Sequence, residues 1–252
     1  MELTDIIIPN WAAPESVAGC CTTRLGGVSN GPYASLNLGL HVGDGKECVL
    51  RNRELLEEAI GPGVRTLFVN QVHGTEVAEV SDDTFFCKLA DADAIVTRMK
   101  KVAIAIMTAD CLPVLFCSKD GTAVGAAHAG WRGLLAGVLE NCVSKLGVPS
   151  ERVVAWLGPR IGDSAFEVGA EVREQFVQND SDNAKFFKPS RNEGKYLCSL
   201  ACIAKQRLVK MGILSSNIAD SNLCTYSDPA RFYSYRRDGQ TGRMATLVWI
   251  RG

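Results

Sequence analysis

Residues 102–117, VAIAIMTADCLPVLFC, contain two nearly uninterrupted apolar runs separated by Thr-Ala-Asp-Cys. A strand with water on one face alternates apolar and polar residues, whereas a strand covered on both faces does not. These runs therefore predict strands that are buried on both faces, between layers of helix or of a second sheet.

Further β-rich runs lie on both sides of this stretch. They are too numerous for one small sheet, which predicts an α/β (α+β) layered sandwich. The chain shows no internal repeat and no linker longer than a loop, so residues 1–252 are expected to form a single domain. The additional runs are RTLFVNQV (65–72), TEVAEV (75–80), ADAIVT (92–97), TAVGAAH (122–128), RVVAWLG (152–158), NIADSNLC (217–224) and ATLVWI (245–250).

Apolar residues at helical spacing predict several helices. One covers 46–60, and a second is expected to follow Gly130 and to end at Gly147. Two more are expected at about 169–178 and 199–211. The polar stretch 178–195 has few apolar residues and several turn formers, which favours a mobile surface excursion.

The charges of the chain nearly cancel. It has 27 Lys and Arg against 28 Asp and Glu, a formal net charge of -1. This balance disfavours a nucleic-acid polymer as a partner, because there is no positive excess to hold its phosphates. The apolar runs are well short of the ~20 residues of a membrane span, and the first residues lack the pattern of a secretory signal. We therefore expect a cytoplasmic protein without a membrane partner.

Ten cysteines would suggest disulfides in a small secreted domain, but this chain is larger and shows no CxxC pair. Most thiols are therefore expected to be reduced. Because a reduced cysteine packs like a small apolar residue, core positions are expected for Cys87, Cys117, Cys142 and Cys202.

Histidines are scarce, since the chain has only three: His41, His73 and His128. His73 and His128 end predicted strands next to glycine or alanine, and Cys111 lies between two predicted strands. Side chains at strand ends can meet in one cleft, and two imidazoles with one thiolate suit Zn²⁺ and leave a fourth position open. The spacing matches no zinc-finger pattern, so two alternatives stay open: hydrogen-bonded imidazoles at strand ends and simple core packing of Cys111.

The segment AHAGWRG (127–133) places Gly130 and Gly133 at the start of a predicted helix. Unpaired N–H groups at a helix start attract anions, which makes this segment a candidate anion site. The alternative is a tight strand-to-helix turn that binds nothing.

Sequence blocks along the chain carry a resemblance: TTRLGGVS (22–29), SLNLG (35–39), NQVHGTEV (70–77), DADAIVT (91–97), TADCLPVLF (108–116), AAHAGWRG (126–133), GPRIGDSAFEVG (158–169) and FYSYRRDGQTGRMA (232–245). In this order they resemble the laccase-domain family, whose members are also named polyphenol oxidase or purine nucleoside phosphorylase. Ordered blocks from about residue 20 to the C-terminus are far more specific than one motif.

The resemblance implies one zinc ion held by His73, Cys111 and His128. It implies a layered α/β/β/α sandwich over residues 1–252, related to the catalytic domain of the cytotoxic necrotizing factor toxins. It also implies phosphorolysis of adenosine, inosine, guanosine and methylthioadenosine, with deamination of adenosine. Purine nucleosides and phosphate are therefore the expected partners.

Phosphate requires cations and N–H donors, and planar guanidinium groups suit its oxygens. The expected substrate-binding residues are therefore Arg24, Arg160, Arg236 and Arg237, with surface ion pairing as the alternative for each.

Three neighbours of the expected metal are predicted to be catalytic. Cys111 and His128 would act through the metal, and Asp110 would act as an acid or base or would orient a ligand. Asn37 and His41 are expected to make polar contacts with the substrate pocket and not to bind the metal.

Two other reactions stay open. Copper-dependent phenol oxidation survives in the older family name, but a multicopper oxidase holds its coppers largely through imidazoles, and three histidines cannot build that set. Copper in the single site is the remaining form of this alternative. The other is a metal-free hydrolase or amidase, with Cys111 as nucleophile and an imidazole as base. The resemblance also implies a link to the editing of peptidoglycan precursors, which would fit this version.

Overall fold

The molecule is built around two β-sheets that pack face to face. The computed structural model describes residues 6–81 and 91–252. In chain order the strands are β1 (Val17–Cys21), β2 (Arg65–Phe68), β3 (Val77–Val80), β4 (Ala94–Thr97), β5 (Val102–Thr108), β6 (Leu112–Ser118), β7 (Val124–Ala129), β8 (Val153–Leu157), β9 (Glu167–Gly169), β10 (Phe187–Pro189), β11 (Lys195–Cys198), β12 (Ile218–Asp220) and β13 (Met244–Ile250). The helices are α1 (Lys46–Ile60), α2 (Trp131–Ala136), α3 (Val138–Leu146), α4 (Ala170–Asn179), α5 (Leu200–Lys210) and α6 (Tyr235–Asp238). Within the described ranges, none of the helices combines the length and the apolar character that a membrane span needs.

The two large sheets are mixed. One has four strands in the order β1-β13-β5-β2, and the other has six in the order β12-β8-β6-β7-β4-β3. Most neighbours are antiparallel, but β2 runs parallel to β5, β3 to β4, and β12 to β8. A smaller antiparallel sheet has the order β10-β11-β9.

Successive residues of the central strands face two different cores, as the unbroken apolar runs predict. In β5, Ile104 contacts the core between the two large sheets, whereas Ala103 faces Leu56 of α1. In β6, Leu115 joins the same inter-sheet core, whereas Phe116 packs with α3 and α5. The layers are thus α1, the four-stranded sheet, the six-stranded sheet, and a layer of helices that includes α3 and α5. The expected α/β/β/α arrangement is confirmed.

The helix expected over 130–147 is two helices. α2 ends and α3 begins at Gly137, whose φ of 104° lies in the left-handed region. Leu134 and Leu139, on either side of this break, both pack in the helix-side core, so the apolar spacing continues across the interruption and does not reveal it. The other predicted helices are confirmed to within one residue at each end.

The stretch 178–195 contains regular structure where the sequence predicts a surface excursion. α4 extends to Asn179, and β10 pairs antiparallel with β11. Phe187 of β10 is buried and packs in the helix-side core, which anchors the stretch. Three-residue and four-residue strands such as β10 and β11 are too short for alternation to show in the sequence.

The cysteine predictions are confirmed in part. Cys117 and Cys142 are buried, but Cys202 is exposed, so its predicted core position is wrong. Cys202 lies on the solvent side of α5, whereas its neighbour Ile203 faces the core. Cys87 lies outside the described residues, and the described cysteines are free thiols.

Two chain crossings between the large sheets lie at one edge of the molecule. β2 and β5 are parallel neighbours, so their C-terminal ends lie side by side. From there the chain passes to β3 and to β6, both in the six-stranded sheet. The first crossing carries His73 and the second carries Cys111, while His128 of β7 pairs with Pro113 at the start of β6. The topology therefore brings three distant segments to one place.

We expect Gly137→Ala to lower the free energy of unfolding by about 1 kcal/mol, because a residue with a Cβ is strained in the left-handed region. The site itself has room, since the nearest atoms to a new Cβ would be Glu140 Oε2 at 3.7 Å and Arg207 Nη2 at 3.8 Å. Gly137→Asn should cost less, because asparagine tolerates this backbone conformation. Urea unfolding measures both variants, and equal losses would show that φ is not the cause.

Candidate metal centre and its cleft

His73, Cys111 and His128 converge at one point. A ligand-capable atom of each lies within 4.8 Å of the other two. The imidazole rings meet edge to face, with their centroids 4.7 Å apart. His128 is buried, Cys111 half-buried and His73 exposed. The sequence allows these three side chains to meet in one cleft, and in the structure they do. Their role as metal ligands stays a prediction.

A buried carboxylate that the sequence does not point out organises two of these residues. Asp93 immediately precedes β4 and is fully buried. Its oxygens accept the backbone N–H groups of Val72, His73 and Gly74 at 3.0, 3.0 and 2.6 Å. Nδ1 of His128 lies 2.7 Å from Asp93 Oδ1. One side chain therefore holds both the turn that carries His73 and the ring of His128.

The bond to Asp93 decides which ring nitrogen of His128 is free. When Nδ1–H donates to the carboxylate, Nε2 is left to face a metal. Burial lowers the pKa of His128, but the Cys111 thiolate and the Asp93 carboxylate outweigh it and raise the pKa to about 9. For Asp93, burial raises the pKa, but hydrogen bonds from His128 and the backbone outweigh it and leave the pKa below its ordinary value. The pair is therefore held as a carboxylate beside an imidazolium, and a metal bound at Nε2 would replace the proton there.

Gly130 lies directly against the cluster. A Cβ at this position would lie 2.9 Å from His73 Nδ1 and 3.1 Å from Cys111 Sγ, closer than real Cβ contacts normally come. Any larger residue would push these two side chains away. This close approach is enough to explain why residue 130 is a glycine, with no need for an anion bound at the helix start. The anion site expected there stays a prediction.

The cluster opens into a cleft of about 590 Å³. Its walls combine cationic and aromatic side chains: Arg132, Arg236, Arg243, Trp131, Phe166 and Tyr235. Another cleft, of about 680 Å³, follows the N-terminal segment and β1, but among the described residues no histidine and no cluster of metal-ligating groups lines it. The chemistry therefore favours the smaller cleft.

Of the arginines predicted to bind substrate, only Arg236 lines this cleft. Arg24 donates to two backbone carbonyls, and its guanidinium stacks on a tyrosine ring. Arg160 forms a bidentate ion pair with Asp220, at 2.7 and 3.0 Å. Arg237 donates to backbone carbonyls and to the neighbouring aspartate. These three guanidinium groups hold loops together.

Arg132 and Arg243 line the cleft without having been predicted from the sequence. Both lie in the quoted blocks, AAHAGWRG and FYSYRRDGQTGRMA. Their positions in these motifs were a signal, but a motif does not show which guanidinium groups are already paired. The guanidinium carbon of Arg132 lies 4.4 Å from the centroid of the Trp131 ring, and this stacking keeps the charge of Arg132 at the rim of the cleft.

Asp110 anchors one wall of the cleft. Its carboxylate accepts hydrogen bonds from the hydroxyls of Thr225 and Ser234 and from the backbone N–H of Arg236, at 2.7, 3.0 and 2.7 Å. These contacts tie the C-terminal loop to the residue before Cys111. Because the carboxylate is engaged by three donors, the geometry favours the orienting role of Asp110 over the acid–base role.

Asn37 and His41 lie in different surroundings. Asn37 is buried behind the cleft wall, where its Oδ1 accepts the N–H groups of Gly39 and Arg243 at 3.0 and 2.9 Å. His41 lines the cleft. Burial, followed by the charges of Arg243 and Arg53, lowers the pKa of His41.

Most of the chain matches one protein family. Residues 18–251 fit the family model described as multi-copper polyphenol oxidoreductase laccase. The chain belongs to this laccase family. Among its relatives, a purine nucleoside phosphorylase of Pseudomonas aeruginosa is 48% identical over 244 residues, which cover 97% of this chain and 98% of the relative. The purine nucleoside phosphorylase YfiH of Escherichia coli is 45% identical over 248 residues, covering 98% of this chain and 100% of the relative.

Solved structures of similar proteins share the fold. A Neisseria meningitidis protein superposes with a TM-score of 0.93 at 44% identity, covering 99% of this chain and 100% of its own. The hypothetical protein YfiH of Bacillus licheniformis gives a TM-score of 0.86 at 31% identity, covering 93% and 92%. The predicted fold class and family are confirmed.

We expect Asp93→Asn to weaken zinc binding about 10- to 100-fold, because an amide has one acceptor oxygen and an NH2 donor in place of the second, so it cannot accept all four hydrogen bonds that position the two histidines. The matched control is Asp91→Asn, since Asp91 lies two residues earlier and accepts a hydrogen bond from Asn70. Competition with a zinc chelator measures the affinity of each variant. Wild-type affinity in Asp93→Asn would show that this carboxylate does not position the site.

Gly130→Ala should also reduce zinc affinity, by about tenfold or more, because the new Cβ displaces His73 and Cys111. Gly45→Ala is the control. Both glycines precede a helix with similar φ, -59° and -61°, but a Cβ at Gly45 would meet only Cys48 Sγ, at 3.8 Å. If both variants bound zinc equally well, the close approach of Gly130 would not limit the site.

Proposed function

We propose that this laccase-family protein is a zinc-dependent purine nucleoside phosphorylase that also deaminates adenosine. The observation that carries the proposal is the convergence of His73, Cys111 and His128 beside a cleft with arginine and aromatic walls. Relatives that match nearly the full chain carry the name purine nucleoside phosphorylase. We extend that name to this chain, taken as one domain, with adenosine, inosine, guanosine and methylthioadenosine as substrates.

The donor set fits zinc. Two imidazole nitrogens and one thiolate make a borderline-soft site, and three protein donors leave a position open for a ligand. The Asp93 bond leaves Nε2 of His128 available, and Gly130 gives the donors room to approach one another. A bound zinc would supply Lewis-acid polarisation of an oxygen atom in the cleft.

The walls of the cleft suit the two substrates of phosphorolysis. In this reaction a phosphate oxygen bonds to the anomeric carbon while the glycosidic bond breaks, and the purine leaves with its electron pair. Guanidinium groups bind and orient phosphate oxygens, and aromatic faces stack on a purine. Arg132 and Arg236 supply the former, and Trp131, Phe166 and Tyr235 supply the latter.

Two competing functions make different predictions. A copper-dependent oxidase of the multicopper type needs more imidazoles than the three of this chain, so only slow oxidation by copper in the single site is left. A metal-free hydrolase would use the Cys111 thiolate beside the His128 imidazolium, an ion pair that the raised pKa of His128 supports. Such a hydrolase would cleave its substrate without phosphate and without metal.

His128→Ala tests the proposal. We expect a soluble protein with near-normal circular dichroism, sub-stoichiometric zinc, and loss of both adenosine phosphorolysis and adenosine deamination, because one of three donors is gone. His41→Ala is the matched control, since His41 lines the cleft but lies outside the cluster; it should keep its zinc. Zinc content by mass spectrometry and product analysis with and without phosphate are the measurements.

Full zinc and wild-type rates in His128→Ala would make His128 a structural histidine and end the proposal. Cleavage by wild-type protein that ignores phosphate and survives zinc removal would support the hydrolase instead.

A further inference from the structure

Arg243 differs from the other arginines of the cleft in how its guanidinium is held. Nη1 donates to the carbonyls of Thr241 and Gly242, at 3.1 and 3.0 Å. Within the described residues, Nε and Nη2 have no hydrogen-bond partner, and no carboxylate lies within ion-pair distance of the group. Two donors of a fixed planar fork are thus left for a ligand.

The position of Arg243 places this fork beside the candidate metal centre. Arg243 immediately precedes β13, whose first residue, Met244, pairs with Thr108 at the end of β5. The chain leaves β5 through Asp110 and Cys111, and the charge of Arg243 interacts with both. Arg243 therefore lines the cleft at the edge where the chain crosses between the sheets.

The backbone and stem of Arg243 are fixed from behind. Asn37 accepts its N–H at 2.9 Å, and Asn52 in turn donates to the carbonyl of Asn37 at 2.9 Å. A Cβ at Gly39 would lie 2.9 Å from Arg243 Cγ, so this glycine lets the loop close on the arginine stem. The SLNLG block, which contributes no residue to the metal cluster, therefore has a physical role: it supports Arg243.

A neighbouring hydroxyl points to the same ligand. Thr108 lines the cleft and is 2% exposed, and its Oγ1 has no hydrogen-bond partner among the described residues. A buried hydroxyl without a partner is rare in proteins, and a ligand oxygen would satisfy it. Thr108 pairs with Met244, so it is adjacent to Arg243 across the β5–β13 ladder.

The charge of the cleft selects an anion. Asp110 is the acidic residue on its walls, and its carboxylate is already engaged by three donors. We propose that Arg243, assisted by the Thr108 hydroxyl, binds the phosphate co-substrate beside the metal cluster, an inference that rests on the proposed phosphorolysis. The planar fork suits two phosphate oxygens, and the hydroxyl suits a third oxygen or a bridging position.

Binding of inorganic phosphate by isothermal titration calorimetry, to metal-free and to zinc-loaded protein, tests this assignment directly. Arg243→Gln should weaken phosphate binding about tenfold to a hundredfold, the loss typical of a charge-assisted hydrogen-bonding group. Arg243→Lys keeps the charge without the fork and should recover only part of the affinity. Thr108→Val should give a smaller loss. Arg231→Gln is the control, since Arg231 pairs with Asp228 outside the cleft.

Kinetics add a second readout. In Arg243→Gln the KM for phosphate should rise by a similar factor, while the KM for nucleoside changes less and zinc content stays at the wild-type level. Wild-type phosphate affinity in Arg243→Gln, or no phosphate binding by wild-type protein, would overturn the assignment. An equal loss of affinity for acetate would overturn it in favour of a carboxylate ligand.

The same measurements separate this inference from the proposed function. If wild-type protein binds phosphate through Arg243 but does not cleave nucleosides, phosphorolysis fails and the anion site stands. If it cleaves nucleosides with phosphate while Arg243→Gln binds phosphate normally, the function stands and the assignment of Arg243 fails.

Discussion

The carboxylate of Asp93 is the interaction on which the rest of the site depends. It is fully buried, and it joins three backbone N–H groups of the turn around His73 to the ring of His128. A buried charge is tolerated only when its hydrogen-bonding capacity is filled, so the four donors stabilise the carboxylate as much as it orders them. His73 has a φ of 61°, an uncommon value for a residue with a Cβ, and the contacts to Asp93 hold it there. The two histidines thus share one anchor and cannot shift independently.

The double-sheet topology supplies the remaining geometry. Because β2 and β5 are parallel neighbours, the segments that follow them leave the four-stranded sheet at the same edge and enter the six-stranded sheet nearby. Such crossings must be irregular, and irregular backbone is where side chains are free to face a cleft. Cys111 and His73 lie on these two crossings, and Gly130, at the end of β7, lets a third segment approach them closely. A cluster assembled in this way uses residues far apart in sequence without needing a local motif.

This explains what the sequence could and could not predict. Apolar runs predicted the strands and the layered architecture because burial on both faces removes polar residues from a strand. His73, Cys111 and His128 could be chosen because histidines are few and the family blocks contain them. The arginines that line the cleft could not be identified from the sequence, because Arg160 and Arg243 look alike there. Only the folded chain shows that Arg160 pairs with Asp220 and that Arg243 lines the cleft. The same holds for Asp93, whose importance lies in the number of donors that fold onto it.

On the proposed function, the cleft holds a metal cation and a phosphate anion within one partly apolar enclosure. Each ligand then raises the affinity of the other by the same factor, whichever binds first, because the coupling free energy is a property of the complex. The protein contributes preorganisation of the binding groups. Asp93 positions the histidines, and Asn37 with Gly39 positions Arg243, before either ligand binds. If those side chains were mobile, the free energy of ordering them would be subtracted from binding. The buried polar contacts behind the cleft are therefore as much a part of the site as the groups that touch its ligands.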